Sequence, residues 1–257
     1  CILLVHFLIQ FISVLFYGQI TTDFKPCIEF FYAETIPQGI SGDGYQALCQ
    51  YYESQYHFAT LYDRNRRIPL FSAYILSPGE GSRPTNTNWM IEPRVSYVKY
   101  HCVMFKDSHV FELQAVNEDY KHSGYTRGHL APSGHQQTEE DKKATFTLTN
   151  IVPQMEKFNN GPWKNLEERM AERLKVCTSK MYVITGVMPY KEDEPKINNR
   201  VTVPEYFWTA YCCPTLTAGL QNYFPTFADL EKNLQKRLKM PKMSLFKNEY
   251  EVIKFWW

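Results

Sequence analysis

The sequence predicts an α+β fold in which a mixed or antiparallel β-sheet is flanked by helices. Three apolar, β-prone runs, at residues 68–75, 182–187 and 206–213, predict strands of that sheet. Two longer segments, at residues 163–175 and 227–238, carry apolar residues at helical spacing and predict amphipathic helices. Strands and helices together indicate the α+β class.

Each of these elements has its own signature. The run IPLFSAYI (68–75) alternates poorly but is largely apolar, as in a buried strand, and YVITGV and YFWTAYCC are rich in β-branched and aromatic residues. The apolar stripe of the first helix comprises Trp163, Leu166, Met170 and Leu174. Pro162 suits the first position of that helix, and Asn159 or Asn160 suits its cap. The segment 138–143 is expected to begin a further helix or a loop.

The composition indicates one globular domain. The chain has 257 residues, which is long enough for one domain with a substantial core. Aromatic residues make up 16% of it, with 18 Tyr and 17 Phe, and this abundance excludes a disordered chain. No internal repeat or low-complexity run interrupts the sequence, so we expect a single domain over residues 21–257.

The first 17 residues (CILLVHFLIQFISVLFY) are almost uniformly apolar and predict a secretory signal peptide over residues 1–20. The segment lacks an initial Met and a basic start, so we expect it to be truncated there, with cleavage between Gly18 and Thr22. It is short for a stable membrane span. An uncleaved signal anchor and a buried helix are the alternatives. The protein is therefore predicted to be secreted.

Cysteine usage agrees with export. Beyond the leader the chain has six cysteines, Cys27, Cys49, Cys102, Cys177, Cys212 and Cys213. An even number in an exported chain predicts disulfides, and Cys27 with Cys49 is the most natural local pair. Cys212 and Cys213 are neighbours on a predicted strand and point opposite ways, so they are expected to have different partners. A zinc site is the rival interpretation, but there is no CxxC pair.

The net charge is only +1, whereas a strong non-specific nucleic-acid binder usually has a clear basic excess. Two local clusters are candidates for phosphate contact instead. The first comprises Arg64, Arg66 and Arg67, and the second comprises Lys232, Lys236, Arg237, Lys239 and Lys242. The plainest interpretation of the second cluster is a surface helix with a solvated basic face.

The segment around Arg127, Gly128 and His129 is the most informative part of the chain. Arg127 and His129 lie two residues apart, so on an extended strand both side chains point to the same face. Gly128 between them would let the backbone of a ligand approach closely. A fixed cation beside a titratable base suits hydrolysis of a phosphodiester. The alternative is a turn with a solvated arginine and a surface histidine.

A second polar block leads into the first predicted helix. The amide oxygen of Asn159 is a neutral hard ligand that suits Mg²⁺ retaining most of its waters, and a plain helix cap is the alternative. Glu167 lies four residues after Trp163, at the border of the apolar stripe, where a carboxylate is partly buried and needs a partner. That partner is either a hydrated metal ion or a cation such as Lys164 or Arg169.

Together these segments resemble the DNA/RNA non-specific endonuclease family, whose active site is a ββα-metal finger. The matching motifs, in the family's order and spacing, are TRGHLAP (126–132), TNIVPQ (149–154), FNNGPWKNLE (158–167), YVITGVM (182–188) and VPEYFW (203–208). Two N-terminal segments, CIEFFY (27–32) and FATLYDRNRRIPLFSAY (58–74), resemble the endonuclease domain-containing 1 branch, whose members are secreted or exported. The five family motifs occur across roughly residues 67–211.

The resemblance implies a role for each residue of the site. His129 is the general base that takes a proton from the attacking water, and an unperturbed imidazole is poised for this near neutral pH. Asn159 is the one direct protein ligand of Mg²⁺, with Mn²⁺ as the alternative ion. Glu167 holds metal-bound waters. Asn150 positions the substrate phosphate or the finger itself, and Arg127 supports the phosphate or the carboxylates of the site.

The implied activity is metal-dependent endonucleolytic hydrolysis of DNA and RNA with little base preference, leaving 5′-phosphate products. DNA and RNA are thus the expected partners, and no small-molecule cofactor is implied. The first alternative is a catalytically impaired protein of the same fold that binds nucleic acid or a protein partner without cutting. The second is a phosphodiesterase that acts on a smaller or lipid substrate.

The chain departs from the family pattern at two positions. The first residue of the TRGHLAP motif is commonly Asp in the family, and here it is Thr126. Some members carry an Arg before an Asn-Trp pair, where it clamps the transition-state phosphate, and here Thr87 precedes the pair. Arg83 or Arg94 is the candidate substitute for that clamp.

A further histidine lies near the motif. His135 comes six residues after His129, which is the wrong parity for the same strand face. It is interpreted as a structural residue.

Overall fold

A seven-stranded sheet forms the centre of the protein. The computed structural model describes residues 19–21, 23–79, 83–84, 88–92, 112–213, 219–221 and 227–246. The sheet consists of β1 (Gln19–Thr21), β2 (Tyr45–Tyr52), β3 (Gln55–Asp63), β4 (Ile68–Leu76), β7 (Met181–Met188), β10 (Tyr206–Cys212) and β11 (Gly219–Gln221), hydrogen-bonded in that order. Every neighbouring pair is antiparallel. The predicted α+β fold with an antiparallel sheet is confirmed.

Short hairpins and helices complete the described fold. The hairpins are β5 (Thr126–His129) with β6 (Ile151–Gln154), and β8 (Lys196–Ile197) with β9 (Val201–Thr202). The α-helices are α1 (Asn117–Tyr120), α2 (Glu139–Ala144), α3 (Glu156–Phe158), α4 (Lys164–Leu174) and α5 (Phe227–Arg237). A five-residue π-helical turn, Asn159–Trp163, joins α3 to α4.

The sheet divides the hydrophobic core into two layers. On one face, Leu230 and Leu234 of α5 pack in the same cluster as Phe71 and Trp208 of the sheet. On the other face, Met170 of α4 belongs to a cluster with sheet residues of β4 and β7, and a neighbouring cluster contains residues of β6. The β5–β6 hairpin and α4 therefore lie on the face of the sheet opposite to α5.

The five predicted elements correspond to β4, β7, β10, α4 and α5, with small differences at their ends. β2 and β3 were not predicted, because their sequences mix polar and apolar residues. Seven consecutive residues at the end of β3 are nevertheless buried, and the polar ones have partners, such as His57, which hydrogen-bonds Asp141 (2.6 Å). The segment 138–143 does begin a helix, because the Thr138 hydroxyl accepts from Asp141 N (3.1 Å) and the Asp141 carboxylate accepts from Thr138 N (2.9 Å).

Two disulfides are present. Cys27 bonds Cys49, as predicted, and Cys177, three residues after the end of α4, bonds Cys213. Cys212 is buried in the layer that contains α5 and forms no disulfide with a described residue, so the two adjacent cysteines do face opposite sides of the sheet. Cys102 lies outside the described residues.

The predicted leader falls almost entirely on residues outside those described. Its end overlaps β1, whose Gln19–Thr21 pair with residues 47–49 of β2 at one edge of the sheet. Within the described part of the chain, no helix has the length and apolar character needed to cross a bilayer.

Candidate active site

The β5–β6 hairpin and the helical segment that follows it bring the two predicted motifs together. Thr126 pairs with Gln154, and His129 pairs with Ile151. From Gln154 the chain runs directly into the helical segment, whose Asn159 donates a hydrogen bond from Nδ2 to Thr126 Oγ1 (3.0 Å). This strand–strand–helix order agrees with the resemblance, and the hydrogen bond joins the helix to the first strand.

His129 lies among aromatic rings on the outer face of β5. Its imidazole is 5.4 Å from the Trp89 ring and 5.0 Å, edge-on, from the Phe146 ring. Nε2 is buried and has no hydrogen-bond partner. Burial, with a smaller effect of the Arg83 charge, lowers the pKa of His129 to about 3. The imidazole is therefore neutral at physiological pH and holds an unpaired nitrogen.

Arg127 shares this face of β5, as the alternation of the strand predicts. Its guanidinium lies 5.4 Å from the Trp89 ring, which also contacts His129, and 5.1 Å from the Tyr120 ring. Nη2 donates to Asn117 O (3.0 Å), whereas Nε is buried without a partner. Burial lowers the pKa of Arg127 from its ordinary value. The aromatic rings and one carbonyl hold the cation in place, and no carboxylate among the described residues forms an ion pair with it.

Arg83 supplies a second positive charge beside His129. Its guanidinium lies 4.9 Å from the centre of the Phe146 ring, and the residue is exposed. Its charge contributes to the low pKa of His129 and slightly opposes the rise in the pKa of Glu167. Of the two candidate substitutes for the missing clamp, Arg83 therefore lies at the site. Thr87 and Arg94 lie outside the described residues.

Gly128 has a different role from the one expected. A Cβ at this position would lie 2.2 Å from two atoms of the Gln154 side chain, so the close approach comes from Gln154 and not from a ligand. Both polar atoms of the Gln154 amide are buried and lack hydrogen-bond partners. A larger residue at position 128 would therefore require the buried Gln154 side chain to move.

Asn159 is not the N-cap of the helix, and the helical segment does not begin at Pro162. The helical segment begins earlier, at Glu156, and Asn159 has helical dihedrals (φ −60°, ψ −48°) with its N–H bonded to Met155 O (2.9 Å). The π-helical turn follows, with Gly161 outside the helical region. A π-turn accommodates one more residue than an α-turn. The eight-residue step from Asn159 to Glu167 then corresponds to about two turns of helix.

Glu167 is partly buried near the start of α4. Burial raises the pKa of its carboxyl group to about 8, an effect that the Trp163 indole N–H and the Arg83 charge partly oppose. The indole N–H does not reach hydrogen-bond geometry. Glu167 forms no ion pair with a described residue, and Lys164, one of the expected cations, lies 3.7 Å from Glu168 instead.

His135 contacts the backbone of α4, in agreement with its interpretation as a structural residue. Nε2 donates to the main-chain oxygen of Glu167 (2.9 Å), and Nδ1 accepts from the Tyr74 hydroxyl (2.9 Å). Burial lowers the pKa of His135 to about 4, so the ring is neutral. It fixes the backbone of α4 at Glu167.

Asn150 is fully buried, and its side chain makes four hydrogen bonds. Oδ1 accepts from Ser72 Oγ and Ala131 N (both 2.9 Å), and Nδ2 donates to Ala131 O (2.9 Å) and Thr145 O (3.0 Å). An amide has four such positions, so none remains for a substrate phosphate. This arrangement favours the second of the two expected roles, which is to hold the hairpin on β4.

Unpaired buried polar atoms concentrate around this hairpin and helix. Among the described residues, eight buried side-chain N and O atoms lack a hydrogen-bond partner, and six of them belong to Asn117, Arg127, His129, Gln154 and Trp163. Each such atom costs about 1–3 kcal/mol, so folded proteins rarely leave several together without a function. This cluster of unpaired polar atoms is typical of a binding site in which water or a ligand supplies the missing hydrogen-bond partners.

The residues at the helix start fit a hydrated divalent cation. The Asn159 amide oxygen accepts no hydrogen bond from a described residue, while its nitrogen is engaged by Thr126. The carboxyl group of Glu167 forms no ion pair with a described residue and, once ionised beside the charge of the ion, would order its waters. No group of three or more His, Cys, Asp or Glu in the described ranges could enclose an ion. An ion here would keep most of its waters, as Mg²⁺ prefers.

The two basic clusters differ in how many of their charges are available to bind phosphate. Arg66 is neutralised by Asp63 (2.8 Å) and Glu194 (2.6 Å), and Arg67 donates to two main-chain oxygens. On α5 and just after it, the exposed basic residues are Lys232, Lys236, Lys239 and Lys242. They form a solvated face on the side of the sheet away from the hairpin, as the plainest interpretation predicts.

Sequence reasoning missed two features of the site. Phe146 and Gln154 have no signature of their own, because each acts through a contact with the distant strand β5. The TNIVPQ motif contains Gln154, but a motif match alone does not show that the side chain packs on Gly128.

The chain belongs to the DNA/RNA non-specific endonuclease family, whose model matches residues 37–248. The human endonuclease domain-containing 1 protein is 32% identical over 213 residues, which are 79% of this chain and 41% of that protein. Human mitochondrial endonuclease G is 34% identical over 106 residues, which are 37% of this chain and 35% of that protein. The chain thus spans about two fifths of the length of the first relative.

A solved structure shares the fold. The crystal structure of the EndoG/EndoGI complex superposes with a TM-score of 0.54 at 22% identity, covering 73% of this chain and 83% of that one. At this identity the likeness concerns the fold alone.

Proposed function

We propose that this protein is a metal-dependent endonuclease that hydrolyses phosphodiester bonds of DNA and RNA with little base preference and leaves 5′-phosphate ends. The observation that carries the proposal is the state of His129. A neutral imidazole with an unpaired, buried Nε2 lies on the strand next to two arginines, and the first strand is bonded to the helix that carries Asn159. A neutral ring and a free nitrogen are two requirements of a general base, and the negative charge of a bound phosphate would raise the lowered pKa of His129 toward neutrality.

Each residue of the site has a defined task in this proposal. His129 Nε2 takes the proton of the attacking water. Arg127 and Arg83 hold the phosphate and the charge that develops on it. Asn159 presents its amide oxygen to Mg²⁺ or Mn²⁺, and Glu167, whose raised pKa the positive charge of that ion would lower, orders its waters as a carboxylate. When bound, the ion supplies charge stabilisation at the phosphate and the leaving 3′-oxygen.

Two further residues shape the site without contacting the substrate. Asn150 keeps the β5–β6 hairpin on the sheet, and His135 holds the backbone at Glu167. The proposal needs no base-reading element, because contacts to phosphates carry no sequence information.

A nicking assay on supercoiled plasmid tests the proposal. The full chain, expressed through an oxidising secretory compartment, is compared with His129→Ala in the presence of Mg²⁺, Mn²⁺ or a chelator. We expect nicking that requires the ion and falls by about a hundred-fold or more in His129→Ala. The matched control is His122→Asn, which removes an exposed imidazole and keeps a residue that tolerates the left-handed backbone there (φ 56°). The products should be joined by DNA ligase without prior phosphorylation.

Absence of nicking by a folded, disulfide-bonded protein would overturn the catalytic proposal. Retained binding of the plasmid in that case would favour the alternative, a protein of this fold that holds nucleic acid without cutting.

We also propose that the protein is exported. Two disulfides and the apolar first 17 residues support this, because disulfides persist in oxidising compartments. Expression of the full chain in a secretory cell line tests it: the protein should accumulate in the medium, and retention in the cytosol would contradict the proposal.

A further inference from the structure

We propose that Thr126 is a positioning residue that sets the orientation of the Asn159 side-chain amide, so that its oxygen faces the metal ion. The inference rests on the proposed function, in which Asn159 is the direct ligand. It explains what a threonine achieves at a position where the family commonly has Asp.

The Thr126 hydroxyl makes two hydrogen bonds with opposite roles. It lies 3.0 Å from Gln154 O and 3.0 Å from Asn159 Nδ2. A main-chain carbonyl oxygen can only accept, so the single hydroxyl hydrogen points to Gln154. The hydroxyl therefore presents only lone pairs to Asn159.

This polarity assigns the amide of Asn159. Facing lone pairs, the amide must present its NH₂ group to Thr126, and its oxygen then points away from Thr126. The backbone of Asn159 is already fixed by its bond to Met155 O (2.9 Å), so the remaining freedom is rotation of the side chain. Without an acceptor at position 126, the oxygen and the NH₂ group could exchange places at little cost, and the NH₂ group is no ligand for a cation.

A carboxylate could not replace the hydroxyl in this arrangement without loss. Asp could accept from Asn159, but as an anion it has no hydrogen to donate and would face the Gln154 carbonyl oxygen, which is also an acceptor. Serine keeps both hydrogen bonds, whereas valine keeps the shape of threonine and loses both. Serine and valine at position 126 therefore separate the contribution of the hydrogen bonds from that of packing.

The test measures ion binding directly, apart from catalysis. Mn²⁺ is titrated into the full-length protein without nucleic acid, and free Mn²⁺ is followed by electron paramagnetic resonance, for the wild type, Thr126→Val, Thr126→Ser and Asn159→Ala. Removal of a partner that orients a metal ligand typically weakens metal binding by about 10–100-fold. We expect a loss in that range for Thr126→Val and most of the affinity restored in Thr126→Ser. Thr35→Val is the matched control, since it removes a similar hydroxyl-to-carbonyl bond (3.0 Å, to Ala33 O) remote from the hairpin.

The outcomes separate this inference from the proposed function. Wild-type Mn²⁺ affinity in Thr126→Val would overturn the inference even if nicking slowed, provided that Asn159→Ala loses affinity. Equal affinity in the wild type and Asn159→Ala would instead overturn the role of Asn159 itself. Urea unfolding of each variant confirms that it is folded, and Thr126→Ala replaces Thr126→Val if the latter does not fold.

Discussion

His135 donates a hydrogen bond of 2.9 Å from Nε2 to the main-chain carbonyl oxygen of Glu167, the residue whose carboxylate is proposed to order the waters of the ion. The other ring nitrogen, Nδ1, accepts a hydrogen bond from the Tyr74 hydroxyl. A buried neutral histidine therefore connects the central sheet to the backbone of α4 beneath the site. Stability and site geometry are coupled through this contact.

The first prediction concerns acid sensitivity. Burial lowers the pKa of His135 to about 4, against about 6.5 for a free imidazole, so between these values the unfolded chain binds a proton that the folded protein does not. Stability therefore rises with pH in this window and is lost as the pH falls through it, by on the order of 2 to 3 kcal/mol. In urea unfolding from pH 7.5 to 4.5, His135→Gln should show a shallower dependence of the unfolding free energy on pH than the wild type.

The control for this experiment is His122→Asn, whose imidazole is exposed and should not change the slope. An identical slope for the wild type and His135→Gln would contradict the prediction.

The second prediction concerns Asn150. Truncation of its fully buried amide in Asn150→Ala leaves Ala131 N, Ala131 O and Thr145 O without partners. Buried groups left unpaired cost about 1–3 kcal/mol each, so the loss in unfolding free energy should reach about 3 kcal/mol or more. Chemical denaturation measures it, with the exposed Asn160→Ala as the matched control.

A nicking assay can contradict this structural role of Asn150. A variant that unfolds at the wild-type denaturant concentration but cuts no DNA would mean that Asn150 acts on the substrate phosphate.

The third prediction concerns the contact between Gly128 and Gln154. A Cβ added in Gly128→Ala would lie 2.2 Å from the Gln154 side chain, so the variant should lose about 1–3 kcal/mol of stability. The double variant Gly128→Ala/Gln154→Ala removes the overlap and should be more stable than the sum of the two single changes predicts. Gly134→Ala is the control, since nothing lies within 4 Å of its Cβ position. If the double variant loses as much stability as the two single variants together, the overlap is relieved by movement of other residues.

The fourth prediction concerns Arg83. If its charge stabilises the phosphate, Arg83→Ala should lower kcat/KM for nicking by about a hundred-fold, and Arg83→Lys should retain part of the rate. The exposed side chain contributes little to stability, so the melting temperature should stay close to that of the wild type. Lys236→Ala removes an exposed positive charge on the opposite side of the sheet and should cut at the wild-type rate. Equal rates in all of these proteins would remove Arg83 from the site.

Much of the fold follows from local sequence patterns. The strands β4, β7 and β10 and the helices α4 and α5 agree with their predicted positions, because apolar periodicity reflects geometry that neighbouring residues determine. Strand alternation likewise predicted that Arg127 and His129 share a face, and both contact Trp89. The pairing of Cys27 with Cys49 was predictable because the two lie close in the sequence.

The π-helical turn at Asn159–Trp163 was not predictable in the same way. Gly161 and Pro162 are typical of a helix start, and locally they indicate a cap at Asn159 or Asn160. In the structure a π-helical turn with a kink at Gly161 connects the helical residues before and after them, and Phe158 and Trp163 on either side both pack on Phe207 of β10, with ring centres 5.4 and 5.3 Å away. Packing on a strand more than forty residues later outweighs the local preference of glycine and proline.

The family, the order of strand, strand and helix, and the face that Arg127 shares with His129 could all be predicted from local motifs. Three further features could not: Gln154 packs on Gly128, all hydrogen-bonding positions of the Asn150 amide are occupied inside the fold, and Arg83 lies beside His129. Secondary structure depends on neighbours within a few residues, whereas burial, pKa values and hydrogen-bond partners depend on segments that meet only after the sheet and the hairpin have packed together.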